Sequence, residues 1–154
     1  MTAFSAKTAE ASVAPEPALV GTWHLVSYAL RDGASDVIYP LGKEAQGQII
    51  YDVLGNMSCH LINPSPPERP RDVQDGTAYE ACISYERYSS YYGPYEVDVV
   101  SRQVHHHVVG ALMPGWVGTT VVRSYAFDGP DTVTLSAKTG FGEQQAILKW
   151  HRAR

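Results

Sequence analysis

The chain is short of cysteine, phenylalanine and basic charge. Cys59 and Cys82 are the only two cysteines in 154 residues. They match no CxxC or metal-ligand spacing, so reduced thiols are expected rather than a disulfide framework. No apolar run approaches the ~18 to 20 residues of a membrane-spanning helix. Twelve Lys and Arg against sixteen Asp and Glu give a formal net charge of -4, and the basic residues are scattered, which argues against a nucleic-acid partner. No P-loop, dinucleotide fingerprint or Ser-His-Asp order is present. Neither cysteine has the neighbours of an activated nucleophile. Residues 1–18 read as a disordered leader rich in Ala, Ser and Thr, without the basic start and apolar run of a signal peptide. A soluble, cytoplasmic protein with one domain over 19–154 is therefore expected. Hydrophobic residues at 44% and charged residues at 18% suit a globular core of that size.

What the sequence has in quantity is alternation. Leu19 to Leu30 alternates with Trp23, Leu25, Ser27 and Ala29 on one face and His24, Val26, Tyr28 and Leu30 on the other. Gln46 to Val53 and Met57 to Ile62 flank Leu54-Gly55-Asn56 as a hairpin. Four prolines between Asn63 and Arg71 force a surface excursion. The period then changes. Thr77 and Glu80 have capping-box spacing, and Ala78, Ala81, Cys82, Tyr85, Tyr88 and Tyr92 recur at intervals of three and four, predicting one helix over about 77–91 that Gly93-Pro94 stops. Strands resume at 95–100, 103–112, 119–127, 132–138 and 144–152, with Gly140-Phe141-Gly142 as the last turn. A meander of short strands would expose two edges unless it closed, so an all-β, antiparallel barrel of about eight strands is expected, with the helix near its mouth.

Several blocks of the chain, taken together, resemble the bacterial and fungal lipocalin-like domain family. They are Leu19-Val20-Gly21-Thr22-Trp23, Tyr39-Pro40-Leu41-Gly42, Gln46-Gly47-Gln48-Ile49-Ile50-Tyr51, Tyr92-Gly93-Pro94-Tyr95-Glu96-Val97-Asp98, His106-His107-Val108, Pro114-Gly115-Trp116 and Arg123-Ser124-Tyr125. The resemblance implies a β-barrel around a small-molecule cavity. Its first-strand tryptophan would close the floor, and an arginine from Trp150-His151-Arg152 would pack across it. Some relatives in natural-product pathways act as cyclases or isomerases without a cofactor. Fold likeness alone does not choose a reaction.

The run from Val104 to Trp116 sets three histidines inside an apolar segment. On a strand His105 and His107 share one face and His106 lies on the other with Val104 and Val108, so His106 is the expected barrel-facing member and the first catalytic candidate. The plain alternative is a wall histidine satisfied by a backbone carbonyl or a tyrosine hydroxyl. Arg123 is the second candidate, as a clamp for a carboxylate or enolate-like oxygen, unless it pairs with Glu96 or Asp98. Tyr51, His60, Tyr85, Tyr88, Tyr95 and Trp116 are the candidate substrate contacts, since tyrosine joins an apolar body to a polar tip. His105 and His107 form an HxH pair that no further ligand set supports, so neither metal nor cofactor is expected. The leading expectation is a cofactor-independent cyclase or isomerase acting on a mostly apolar, oxygenated intermediate of secondary metabolism. The alternative is a non-catalytic carrier of small hydrophobic molecules. A homodimer is left open.

Overall fold

A computed structural model of the chain describes residues 16–33, 36–65, 78–139 and 144–154. Residues 1–15 of the expected leader, most of the proline-rich excursion, Thr77 of the expected capping box and the Gly140–Gly142 turn lie outside these residues.

Ten strands and one α-helix follow in the order β1 (Gly21–Asp32), β2 (Asp36–Ile38), β3 (Gln46–Tyr51), β4 (Asn56–Ile62), α1 (Ala78–Arg87), β5 (Tyr88–Asp98), β6 (Gln103–His107), β7 (Gly110–Ala111), β8 (Thr120–Phe127), β9 (Thr132–Lys138) and β10 (Gln145–Arg152). Eight of them, β1, β3, β4, β5, β6, β8, β9 and β10, pair antiparallel in that order, and β10 pairs back onto β1 to close the barrel. Closure satisfies the edges that a meander leaves open. The short β2 pairs with the end of β1, and β7 pairs with β5. A 3-10 turn over Pro114–Trp116 follows β7.

Alternation decides what fills the barrel. Met57, Cys59 and Leu61 of β4, Tyr91, Tyr95 and Val97 of β5, and Ala146, Leu148 and Trp150 of β10 are buried, while their neighbours face out. The floor is a tryptophan-arginine stack. Trp23 is fully buried and its Nε1–H donates to the Leu19 carbonyl at 2.8 Å. The Arg152 guanidinium lies 4.1 Å from the centre of the Trp23 ring and donates to the carbonyls of Val20 at 2.8 Å and Ala18 at 2.7 Å. Gly21 makes room for it: its φ is +135°, and a Cβ there would stand 2.8 Å from Arg152 Nη1.

Three elements differ from the sequence expectation, the strand expected over 103–112 being split into β6 and β7. In β1 the pairing with β10 shifts between Leu25 and Ser27, leaving Val26 as a bulge. The bulge reverses the alternation, so Trp23 and Leu25 pack inward at one end, and Tyr28 and Leu30, expected on the opposite face, pack inward at the other. The helix ends at Arg87 rather than near 91, because Tyr88 to Tyr92 pair with Ile62 to Ser58 of β4. Strand pairing there satisfies the β4 edge and suits a tyrosine-rich segment, so tertiary context overrides the helical spacing. Gly93-Pro94 therefore lies inside β5 rather than stopping a helix. His106 pairs with Tyr95 and Gly110 with Tyr92, so three steps along β5 face four on the other side. A Cβ on Gly93 would collide with the His107 carbonyl oxygen, so glycine lets this bulge close onto β5. Among the described residues no helix is long and apolar enough to cross a membrane.

Candidate functional site

Above the Trp23 floor the barrel holds a cavity of about 220 Å³, bordered by residues of α1 and of the Pro114–Trp116 turn. Apolar cavities of roughly 150 Å³ admit benzene, so the volume here is of the order of a substituted single ring. Ile49, Cys59, Leu61, Leu135, Leu148 and Trp150 form its wall. Tyr85, Met113 and Trp116 stand with Pro40 and Leu41 among the other lining residues. The lining residues that carry polar groups are Tyr28, Tyr85, Tyr88, Ser89, Tyr91, the exposed Glu86 and Arg123.

Arg123 comes from β8 and is half-buried. Neither acidic residue expected to pair with it does so. Glu96 approaches His107 on the outer face, its Oε2 3.5 Å from Nε2. Asp98 caps its own turn by accepting from the backbone N–H groups of Val100 and Ser101. Among the described residues Arg123 has no carboxylate within ion-pair distance. Its positive charge is felt instead by Tyr28, Cys59, Tyr91 and His106.

His106 faces inward on β6, as alternation predicts, and is 1% exposed. Both ring nitrogens are occupied. The Tyr51 hydroxyl lies 2.8 Å from Nε2 and the Tyr91 hydroxyl 2.9 Å from Nδ1. Burial above all, and then the nearby charge of Arg123, pull its pKa down to about 3. A neutral imidazole held between two phenols, and not itself lining the cavity, has no free nitrogen with which to take a proton from a ligand. Burial likewise pushes the Cys59 thiol up to about 12, which keeps it protonated and unreactive.

The remaining candidates divide by place. Tyr85, Tyr88, Trp116 and Arg123 line the cavity, with Trp116 meeting Tyr91 edge-on at a centroid distance of 5.6 Å. Tyr85 is on α1 as expected, but Tyr88 opens β5. Tyr51 and Tyr95 are buried behind the cavity wall, edge to face at 4.9 Å, and the Tyr95 hydroxyl donates to the Asp52 carbonyl. His60 points outward from β4, its Nδ1 2.7 Å from the Tyr88 hydroxyl. His105 and His107 are on the outer face; His107 Nδ1 lies 3.0 Å from Thr120 Oγ1. Among the described residues no three of His, Cys, Asp and Glu gather as a metal-ligand set.

Sequence reasoning missed Tyr28, Cys59, Tyr91 and Trp150. The Val26 bulge hid Tyr28, and the helical reading of 77–91 hid Tyr91. Cys59 had a visible signal: placing Ser58, His60 and Ile62 on one face leaves Cys59 on the other, opposite Ile49.

Closed barrel, tryptophan-arginine floor and apolar internal cavity define a barrel of the lipocalin type. The chain belongs to the lipocalin-like domain family, whose model matches residues 20–153. It is 30% identical over 108 residues to the 4'-hydroxy-3'-methoxypropiophenone carrier protein ppsC of Aspergillus oryzae, a match covering 62% of this chain and 96% of that protein. Among solved structures it is similar to a redesigned β-barrel at 14% identity and a TM-score of 0.46, over 89% of this chain and 93% of the other.

Proposed function

We propose that this chain is a carrier of a small, mostly apolar, oxygen-bearing molecule, held inside the barrel. The observation that carries the reading is the pairing of an open apolar cavity with a histidine that is closed off from it. The cavity wall offers packing surface and a few donors, which is what a ligand site needs. His106, the group on which acid-base turnover was expected to depend, is bonded at both nitrogens and held neutral. The carrier relative in Aspergillus oryzae supports the same choice, since its name specifies an aryl ketone of one ring. The cavity is lined from a single chain, so the reading needs no partner subunit. The free thiols of Cys59 and Cys82 suit a reducing, cytoplasmic setting.

The experiment is titration of the protein with 4'-hydroxy-3'-methoxypropiophenone, followed by the fluorescence of Trp116 and Trp150, with recovery and mass analysis of the ligand. Saturable 1:1 binding with the ligand returned unchanged is expected. Conversion of the ligand would restore the cyclase or isomerase reading, with Arg123 as its charge-stabilising group. Absence of saturable binding by this ligand and by simpler aryl ketones would overturn the carrier reading.

A further inference from the structure

Resting on the ligand-binding reading, we infer that the cavity recognises its ligand by one sp2 oxygen, a conjugated ketone oxygen, taken by the Tyr91 hydroxyl and the Arg123 guanidinium, with Tyr51 and His106 acting as positioning residues behind Tyr91.

The placement of the protons decides which hydroxyl faces the cavity. A neutral imidazole donates from one nitrogen and accepts at the other. If Nε2 carried the proton, it would donate to Tyr51, and Tyr91 would donate to Nδ1. The Tyr51 hydroxyl proton would then be buried without an acceptor, since among the described residues His106 is its only hydrogen-bond partner. The opposite arrangement places every proton. Tyr51 donates to Nε2, Nδ1–H donates to the Tyr91 oxygen, and the Tyr91 O–H is left to point onward, toward Cys59 and the cavity. Its oxygen already accepts from His106 and lies under the influence of Arg123, and donation into an oxygen strengthens what that hydroxyl can give in turn.

A further observation calls for an acceptor in the same space. Arg123 lines the cavity, is half-buried and, among the described residues, is unpaired with any carboxylate, although a guanidinium out of water is ordinarily matched. Its guanidinium and the Tyr91 O–H are thus donors available to that space. The carboxylate among the lining residues, Glu86, is on an exposed residue of α1. An apolar ring bearing a ketone supplies the missing acceptor and fills the rest of the space without adding a donor.

The test compares propiophenone with propylbenzene, which keeps ring and chain and replaces the carbonyl by a methylene. By tryptophan fluorescence the ketone should bind at least about tenfold more tightly, the range expected for hydrogen bonds from a charged and a neutral donor. The infrared carbonyl stretch of bound propiophenone should fall below its value in hydrocarbon solvent. Tyr91→Phe and Arg123→Met should each reduce the preference for the ketone over propylbenzene to under about threefold, read as the ratio of the two affinities in the same variant. His106→Phe should do the same through Tyr91. Equal binding of the two ligands by the wild-type protein, or an unshifted carbonyl, would overturn the oxygen recognition and leave the carrier reading standing. Binding of neither would overturn both. The wild-type comparison and the infrared measurement decide the matter even if a variant does not fold.

Discussion

The Tyr91 hydroxyl stands 2.9 Å from Nδ1 of His106, and this contact separates the buried histidine from the cavity. Tyr91 meets the ligand space on one side and the imidazole on the other. The residue that alternation picked out as an acid or base thus sits neutral between two phenols, behind Tyr91. Its burial also gives it a role in the stability of the fold.

That role predicts an acid limb. In the folded chain His106 titrates near 3, against an ordinary value of 6.5. Between those values the unfolded chain binds the extra proton, so stability falls as the pH drops below about 6.5, by up to about 1.4 kcal/mol per pH unit. Above that window the group contributes no pH dependence. Asp52 and Asp98, whose pKa values backbone and side-chain hydrogen bonds hold below 3.8, add their loss only at lower pH. Urea unfolding from about pH 7 to pH 5 should show the slope in the wild type and much less of it in His106→Gln, which cannot protonate. An identical slope in both proteins would place the titration elsewhere.

How far the sequence disclosed this arrangement depended on where its periodicity was unbroken. Val104, His106 and Val108 alternate without interruption, and the histidine fell on the correct face. On β4 the alternation is equally regular, but His60 of the outward face was the residue taken as a ligand contact and Cys59 of the inward face was passed over. In β1 one extra residue at Val26 moved Tyr28 from the face that counting assigned to it, and nothing in Leu25-Val26-Ser27 announces a bulge. Between Tyr85 and Tyr92 the tyrosine spacing fits a helix and a strand alike. The decision belongs to β4, whose edge takes up Tyr88 to Tyr92. The closing of both His106 nitrogens was least legible, since it needs Tyr51 and Tyr91 from two other strands to converge on β6.

The Arg152–Trp23 floor should be a main source of stability remote from the ligand. Replacing Arg152 by Ala removes the ring contact and leaves the carbonyls of Val20 and Ala18 without their donor. A loss of about 2 to 4 kcal/mol is expected, from cation-π and charge-assisted hydrogen-bond contributions together. Arg152→Lys should recover less than half, because an ammonium cannot lie flat on the indole and fork to two carbonyls. Equilibrium unfolding in urea measures both, and full rescue by lysine would show that charge alone is at work.

Gly93 tests the bulge between β5 and β6. Gly93→Ala drives a methyl group into the His107 carbonyl, which is backbone and cannot swing aside. The variant should lose ~3 kcal/mol or more. Gly115→Ala, where a Cβ meets nothing within 4 Å, should stay within about 0.5 kcal/mol of wild type. Thermal melts of the pair suffice. A mild effect at Gly93 would mean that the strands part there at little cost.

The cavity itself can be tested by filling it. Leu135 is 2% exposed and lines the cavity, whereas Val133, two residues away on β9 and fully buried, does not. A larger side chain in a packed core ordinarily costs about 1 to 3 kcal/mol, because neighbours must move. Beside open space the added atoms gain contacts that the wild-type wall lacks. Leu135→Trp should accordingly stay within about 1 kcal/mol of wild type or exceed it, while Val133→Trp should be strongly destabilised. Only the first comparison isolates the ligand site: Leu135→Trp should remain folded and lose saturable binding of aryl ketones. If it destabilises the protein as Val133→Trp does, the space is closed by the surrounding side chains and the ligand must bind elsewhere.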